Sequence, residues 1–569
     1  MTFRVWAPAA ARVRVRTQGA DHEMTAGGGG WWFSDVPAPP GTDYAFLLGD
    51  DETALPDPRS SWQPRGVHGP SRIYDHTAFA WTDRTWTGRA LPGAVLYELH
   101  IGTFTPEGTF DAAIGRLDHL VDLGVTFVEV LPVNSFDGTD GWGYDGVLWG
   151  AAHEPYGGPD GFKRFVDACH ARGLAVVLDV VYNHLGPSGA YLDRFGPYFA
   201  GRNDWGPGLN LDGAGSDEVR RYVLDNALGW LRDFHVDALR LDAVHALNDR
   251  RATHLLEDLA VEVAALSAAV RRPLTLIAES DLNDPRLVTA REGGGYGLHA
   301  QWCDDLHHAL HVTLSGETSG YYADFGAPGA LERTLRQAFF HAGTWSSFRE
   351  RTHGRPVDTR TVAGHRFLIY LQNHDQIGNR ATGDRLAASV SPGRLACGAA
   401  IVFCSPYTPM IFMGEEWAAG TPWQFFASFP DPDLAEAVRT GRRREFARHG
   451  WGEAQVPDPM DPATVERSRL DWSEPGKDGH REMLELYRAL IALRRERPEL
   501  SDPWLDFFDV RTDGSLLVID RGPLRLTCNF GPDPVDLGEP AGEVLLSWGA
   551  ATARHLPPDS FVLIDTVRR

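Results

Sequence analysis

Four short segments of this 569-residue chain place carboxylates, imidazoles and amides directly after apolar runs. They are DVVYNH (179–184), RLDAVH (240–245), AES (278–280) and QNHDQ (372–376); a GWGYDG loop (141–146) adds Tyr144 and Asp145. A lone polar residue after a strand is usually a cap or a loop residue. Four such clusters, each ending a strand-like run, point to one shared site. The chemistry open to these residue types is specific. Cleaving a glycosidic bond through an oxocarbenium-like transition state needs two carboxyl groups flanking the bond, one protonated and one ionised. A third carboxylate can hold sugar hydroxyls and stabilise the developing positive charge. Asp242, Glu279 and Asp375 meet that need. Arg240 lies two residues before Asp242, so strand alternation turns both to one side, where the guanidinium keeps Asp242 ionised. His184 and His374 supply hydrogen-bond donors for sugar hydroxyls.

Parallel strands must position these groups. VLYELH (95–100), VTFVEVLP (125–132), LAVVLDVV (174–181), VDALRL (236–241), LTLIAE (274–279), a short run near 298–302, FLIYL (367–371) and MIFM (410–413) are strand-like. Near-continuous apolar runs of this kind suit a parallel sheet covered on both faces. Helical spacing separates them: Phe110, Ile114, Leu117, Leu120 and Val121 predict one helix capped at Gly124, and further helices fall at about 216–234, 252–270 and 481–496. Eight βα units predict a (β/α)8 TIM barrel with long insertions over residues 86–497. In such a barrel the C-terminal strand ends form the active site, which is where all four clusters fall. Residues 1–85 have short β runs, a Gly27–Gly30 turn and a Pro-rich stretch, predicting a β-sandwich and a linker laid against the barrel; residues 498–569 predict a second small β-sandwich.

Composition sets the surroundings. A net charge of −23 argues against nucleic acid and anionic membrane surfaces and favours a neutral or cationic substrate. No apolar run is long enough to cross a bilayer and no secretory leader is visible, so a cytoplasmic location is expected. The five cysteines are scattered, which predicts reduced packing residues. The 18 tryptophans are a surplus that suits sugar stacking, although core packing accounts for most. His307, His308 and His311 invite a metal reading, since His307 and His311 are one helical turn apart, but two ligands without a placed third are weak evidence, and sugar binding or helix-surface roles are favoured. No cofactor is expected; calcium near Asn183 or another metal stays open.

In order and spacing, the four clusters resemble the motif regions of the α-amylase family of retaining α-glucoside hydrolases, and the resemblance covers the whole chain. It implies that Asp242 is the nucleophile, Glu279 the acid/base and Asp375 the transition-state stabiliser. It also implies that Tyr97 or Tyr144, with Asp145, His184, Arg240, His245, Asn373, His374 and Gln376, surrounds the attacked sugar. LPDPRSSWQPRGVHGPSR (55–72), QWCDDLHHALH (301–311), SSFRER (346–351), NHDQIGNR (373–380) and GRRREFA (441–447) resemble one branch of that family. Its members hydrolyse the α-1,4 bond next to the trehalose end of maltooligosyltrehalose, releasing trehalose and a maltooligosaccharide. The branch resemblance implies Asp304, Asp305, His307, His308, Phe348 and Arg349 as substrate contacts. ASFPDPDL (427–434) departs from the acidic-histidine pair expected there. A glycogen branching or debranching activity shares the same motifs and stands as the alternative. A catalytically silent glucan-binding protein would have lost one of the three carboxylates.

Overall fold

The computed structural model describes residues 2–447, 456–538 and 542–567. Eight strands close a parallel barrel: β1 (Leu96–Leu99), β2 (Phe127–Val130), β3 (Ala175–Val180), β4 (Ala238–Leu241), β5 (Thr275–Ala278), β6 (Ala300–Trp302), β7 (Phe367–Ile369) and β8 (Thr408–Phe412). Each pairs with the next in sequence, and β8 returns to β1 in parallel.

Alternation along these strands explains how the barrel is filled. Leu96, Phe127, Val177, Ala238, Ile277, Ala300, Leu368 and Met410 pack together as an apolar plug. Two residues further along β1 to β7, the same inward parity brings Glu98, Glu129, Asp179, Arg240, Glu279, Trp302 and Tyr370 into a layer that is polar and aromatic. Residues of opposite parity, such as Tyr97, Val128 and Leu239, join the separate apolar cluster formed with the surrounding helices.

The helix predicted after β1 is two helices, Phe110–Ile114 and Leu117–Leu123, interrupted at Gly115 and Arg116. Of the predicted spacing, Phe110, Leu117 and Leu120 are buried, Ile114 is half-buried and Val121 is exposed. Gly124 adopts the left-handed conformation and donates to the Leu120 and Val121 carbonyls, closing the second helix. The expected helices near 216–234, 252–270 and 481–496 run Ser216–Asp233, Leu255–Val270 and His480–Glu496.

Ahead of the barrel lie a three-stranded sheet (Thr2–Trp6, Thr25–Ala26, Trp31–Pro37) and a four-stranded sheet (Val13–Thr17, Ala20–Glu23, Asp43–Leu48, Ser71–Arg72). Lys163, fully buried on the helix Gly158–Ala171, fastens the stretch that follows. Its ammonium donates to the His76 carbonyl at 2.8 Å and sits 5.2–5.7 Å from the rings of Tyr74, Phe79, Trp81 and Phe234. Beyond the barrel, Asp509–Asp513, Leu516–Arg521, Leu524–Asn529, Glu543–Ser547 and Ser560–Asp565 form a five-stranded antiparallel sheet. A two-stranded ribbon, Val535–Asp536 with His555–Leu556, makes only a thin second layer. The barrel helix Pro392–Cys404 packs on Leu524–Asn529 and Ser560–Asp565, burying apolar sheet surface that a full second sheet would otherwise cover. All five cysteines are buried and unpaired. Among the described residues, no helix is long and apolar enough to cross a membrane.

Candidate active site

A cleft of about 550 Å³ opens over the C-terminal strand ends. Its floor is built around Arg240. This side chain is fully buried, and one guanidinium nitrogen donates to Asp179 Oδ2 at 2.9 Å and to Asp242 Oδ1 at 2.7 Å. A second nitrogen lies 3.7 Å from Glu279 Oε2. The guanidinium carbon sits 4.2 Å from the Trp302 ring centroid, which closes its other face. One cation therefore reaches the carboxyl groups at the ends of β3, β4 and β5, and Asp242 and Glu279 flank it.

The turn after β4 sets the position of Glu279. Ala243 takes a left-handed conformation (φ 40°), and its amide donates to Glu279 Oε2 at 2.6 Å. Burial pushes the Glu279 carboxyl up to about 8; Arg240 pulls it down, and the charges of Asp242, Asp304 and Asp375 push it further up. Glu279 is thus protonated at neutral pH, while Asp242 accepts a hydrogen bond from a permanent cation. The site pairs a proton donor with an anion, the division of labour that glycosidic cleavage requires.

The GWGYDG loop and the segment after β7 form the opposite wall. Gly143 has φ +101°, and a Cβ there would lie 2.2 Å from the Pro132 carbonyl, so the sharp turn that delivers Tyr144 needs glycine. Tyr144 donates to Asp179 Oδ2 at 2.6 Å, and its oxygen lies 2.8 Å from His374 Nε2. Asp375 stands half-exposed beside His374, with Oδ1 3.5 Å from Nε2. Burial lowers His184, whose ring lies parallel to exposed Trp205 at 6.0 Å.

Of the residues singled out in sequence, Tyr144, Asp145, His184, Asp242, His245, Glu279, Asp304, His308, Phe348, Arg349, His374, Asp375 and Gln376 line this cleft. Four do not. Tyr97 has the outward parity on β1, is fully buried, and its hydroxyl donates to Glu416 at 3.0 Å. Asp305 faces away from the cleft, where Oδ2 accepts from Asn283 Nδ2 and the amides of Phe340 and His341 at 2.8–2.9 Å. Its neighbour Asp304 is turned by the helix toward the cleft and accepts from Tyr370. His307 is buried with Nδ1 3.0 Å from His308 Nδ1, and burial depresses its basicity strongly. Asn373 is the N-cap of the helix His374–Gly378, accepting from the Gln376 amide. Arg240 lies just beneath the cleft and acts on it through Asp242.

Sequence reasoning missed Trp142, Trp205, Asp281, Tyr321, Asn379, Phe425 and Arg442, which also line the cleft. Asp281 was the most accessible of these, two residues past Glu279. Trp142, Trp205 and Phe425 come from loops, Asn379 from a helix end, Tyr321 from a 3-10 turn and Arg442 from the helix Pro432–Ala447, and strand periodicity gives the path of none of these. His311 pairs with Glu317 at 2.9 Å, and Asn183 Oδ1 lies 3.0 Å from His184 Nδ1. Among the described residues no group of three or more His, Cys, Asp or Glu side chains is arranged to hold a metal ion.

A closed parallel barrel with an acid, an anion and a guanidinium at its C-terminal strand ends defines a glycoside hydrolase of the α-amylase class. The α-amylase catalytic-domain family matches residues 72–202, and a domain of unknown function (DUF3459) matches residues 507–563. The crystal structure of a putative α-amylase from Salmonella typhimurium has a TM-score of 0.92 at 39% identity, covering 99% of this chain and 97% of that one. Malto-oligosyltrehalose trehalohydrolase of Arthrobacter ramosus is 58% identical over 95% of both chains. The enzyme of that name from Mycobacterium tuberculosis is 55% identical, covering 96% of this chain and 95% of its own. The chain belongs to the malto-oligosyltrehalose trehalohydrolase family. A 1,4-α-glucan branching enzyme from Vibrio parahaemolyticus is 34% identical over only 43% of this chain and 36% of its own, so the branching alternative is the weaker one.

Proposed function

We propose that this protein hydrolyses the α-1,4-glucosidic bond adjoining the terminal trehalose of maltooligosyltrehalose, releasing trehalose and a maltooligosaccharide by retaining double displacement. The observation that carries the mechanism is the pairing of a Glu279 carboxyl raised to about 8 with an Asp242 carboxylate held by Arg240. Glu279 gives its proton to the oxygen that leaves from the anomeric carbon, while Asp242 Oδ attacks that carbon and forms a glycosyl ester. Glu279, now ionised, takes a proton from water. The water oxygen attacks the same carbon, the ester bond breaks, and Asp242 is regenerated. Asp375 and Asp242 offset the positive charge that grows on the ring. Tyr144, His184 and His374 hold the ring on the glycon side, and Trp205 and Phe348 offer exposed faces against which sugars stack.

Incubating the enzyme with maltooligosyltrehalose and with plain maltooligosaccharide of equal length tests the substrate. Free trehalose from the first, at a rate well above cleavage of the second, is expected. Preference for the plain chain, or new α-1,6 linkages, would overturn the reading.

A further inference from the structure

The inward face of β1 holds a carboxylate that neither the motif pattern nor the proposed chemistry uses. Glu98 is buried, and both of its oxygens serve one residue. Oε1 lies 2.5 Å from His374 Nδ1, and Oε2 accepts from the His374 backbone amide at 3.1 Å. The far side of the same imidazole meets Tyr144. The tyrosine proton goes to Asp179 Oδ2 at 2.6 Å, so the tyrosine oxygen is an acceptor toward His374 Nε2 at 2.8 Å. Nε2 must then carry hydrogen. Nδ1 faces a carboxylate and carries hydrogen as well. With Asp179 and Glu98 as carboxylate acceptors, both ring nitrogens carry hydrogen and the ring is an imidazolium.

We propose that Glu98 is a positioning residue that holds His374 as an oriented imidazolium beside Asp375, linking the barrel interior to the glycon side of the cleft. The proposal rests on the glycosidase reading for its consequence but not for its geometry. The groups facing the imidazole are Glu98 and His100 from β1 and its end, Glu129 from β2, Tyr144 from the loop after β2, Asp179 from β3, Arg240 from β4, and Asp375 from its own helix. Burial and Arg240 oppose a second cation here. Asp375 and Glu98 outweigh them and raise His374 to about 9. Glu129, cross-strand from Glu98, makes no hydrogen bond with either oxygen, and burial, with the neighbouring Glu98, pushes its carboxyl well above the usual range. In this inner layer Glu98 partners the imidazolium, as Asp179 partners Arg240. This cation and Arg240 face the anions Asp242 and Asp375, so the sugar's positive transition state forms between carboxylates whose own charge is held in place.

The test is nitrogen-15 NMR of histidine-labelled enzyme, in which the resonance missing from His374→Gln identifies the ring. In the wild type that ring is expected to show two protonated nitrogens through neutral pH and to titrate near 9. Glu98→Gln keeps the shape and one acceptor but removes the charge, and it should lower that midpoint by at least one pH unit. The alkaline limb of its kcat/KM profile should move to lower pH, with kcat reduced tenfold or more. Glu129→Gln is the control for a general interior charge and should shift neither quantity. A neutral His374 in the wild type, or an equal shift in both variants, would overturn the assignment, as would a Glu98→Gln enzyme with an unmoved midpoint. Failure of the trehalose reading would leave the NMR result intact, so the two are separable.

Discussion

Arg240 is the residue on which the site's electrostatics turn. A buried cation with two carboxylates within 2.9 Å is not easily removed, because each partner would be left as an uncompensated buried charge. Arg240→Leu is expected to cost about 3–5 kcal/mol in stability as well as activity, as chemical denaturation would show. The roles of the flanking carboxyl groups separate in pH. Glu279 has a folded value raised to about 8, so its proton is present below that pH and is lost as pH rises through it. The alkaline limb of kcat/KM should therefore fall near 8 with unit slope. Glu279→Gln should abolish that limb along with most of the rate. Asp242→Asn should lower turnover on the order of 10⁴-fold or more while leaving the melting temperature near the wild-type value. A variant with near-wild-type rates would remove Asp242 from the nucleophile's role. Residue types and strand alternation made Asp242, Glu279, Asp375 and Arg240 legible from sequence. The same alternation should have turned attention from Tyr97 to Glu98: Leu96 fixes the inward parity of β1, and the tyrosine falls on the other face.

At the scale of elements, the eight strands were readable because a strand buried on both faces leaves an uninterrupted apolar run. The insertions were not readable. The stretch between the helix Asp304–Ser315 and β7 folds back over the loop after β5 through polar contacts that leave no periodic trace. Asp305 is its anchor, accepting from Asn283, Phe340 and His341 together. Arg349 adds a bond to Asp281 at 2.9 Å, and His353 Nε2 reaches the Asp281 carbonyl at 2.8 Å. Asp305→Ala would leave the buried Phe340 and His341 amides unpaired and take one of two acceptors from Asn283 Nδ2, a cost of about 3 kcal/mol or more. Because these donors join the insertion to the loop carrying Glu279, the variant should also raise KM. Urea titration and steady-state kinetics check both effects. A stable variant with unchanged KM would show that the stitch does not shape the cleft.

The whole molecule joins an acidic surface to a neutral substrate. A chain of net charge −23 neither attracts nor repels an uncharged glucan at long range, so binding rests on the cleft's short-range hydrogen bonds and aromatic faces. The value of kcat/KM should change less than about twofold as ionic strength rises from roughly 0.05 to 0.5 M, a range over which the Debye length contracts from well above 10 Å toward 4 Å. A steep salt dependence would indicate a charged substrate or partner. The flanking β domains were visible in outline from Gly- and Pro-bounded short runs. The thin second layer of the C-terminal domain was not, because the barrel helix Pro392–Cys404 that covers its sheet belongs to a distant part of the sequence. The central claim, that one barrel places a nucleophile and an acid on either side of the bond, is tested most directly by the stereochemistry of cleavage. Proton NMR of the maltooligosaccharide in the first moments of reaction should show the α-anomer accumulating before mutarotation. First appearance of the β-anomer would mean a single inverting displacement and would contradict Asp242 as nucleophile.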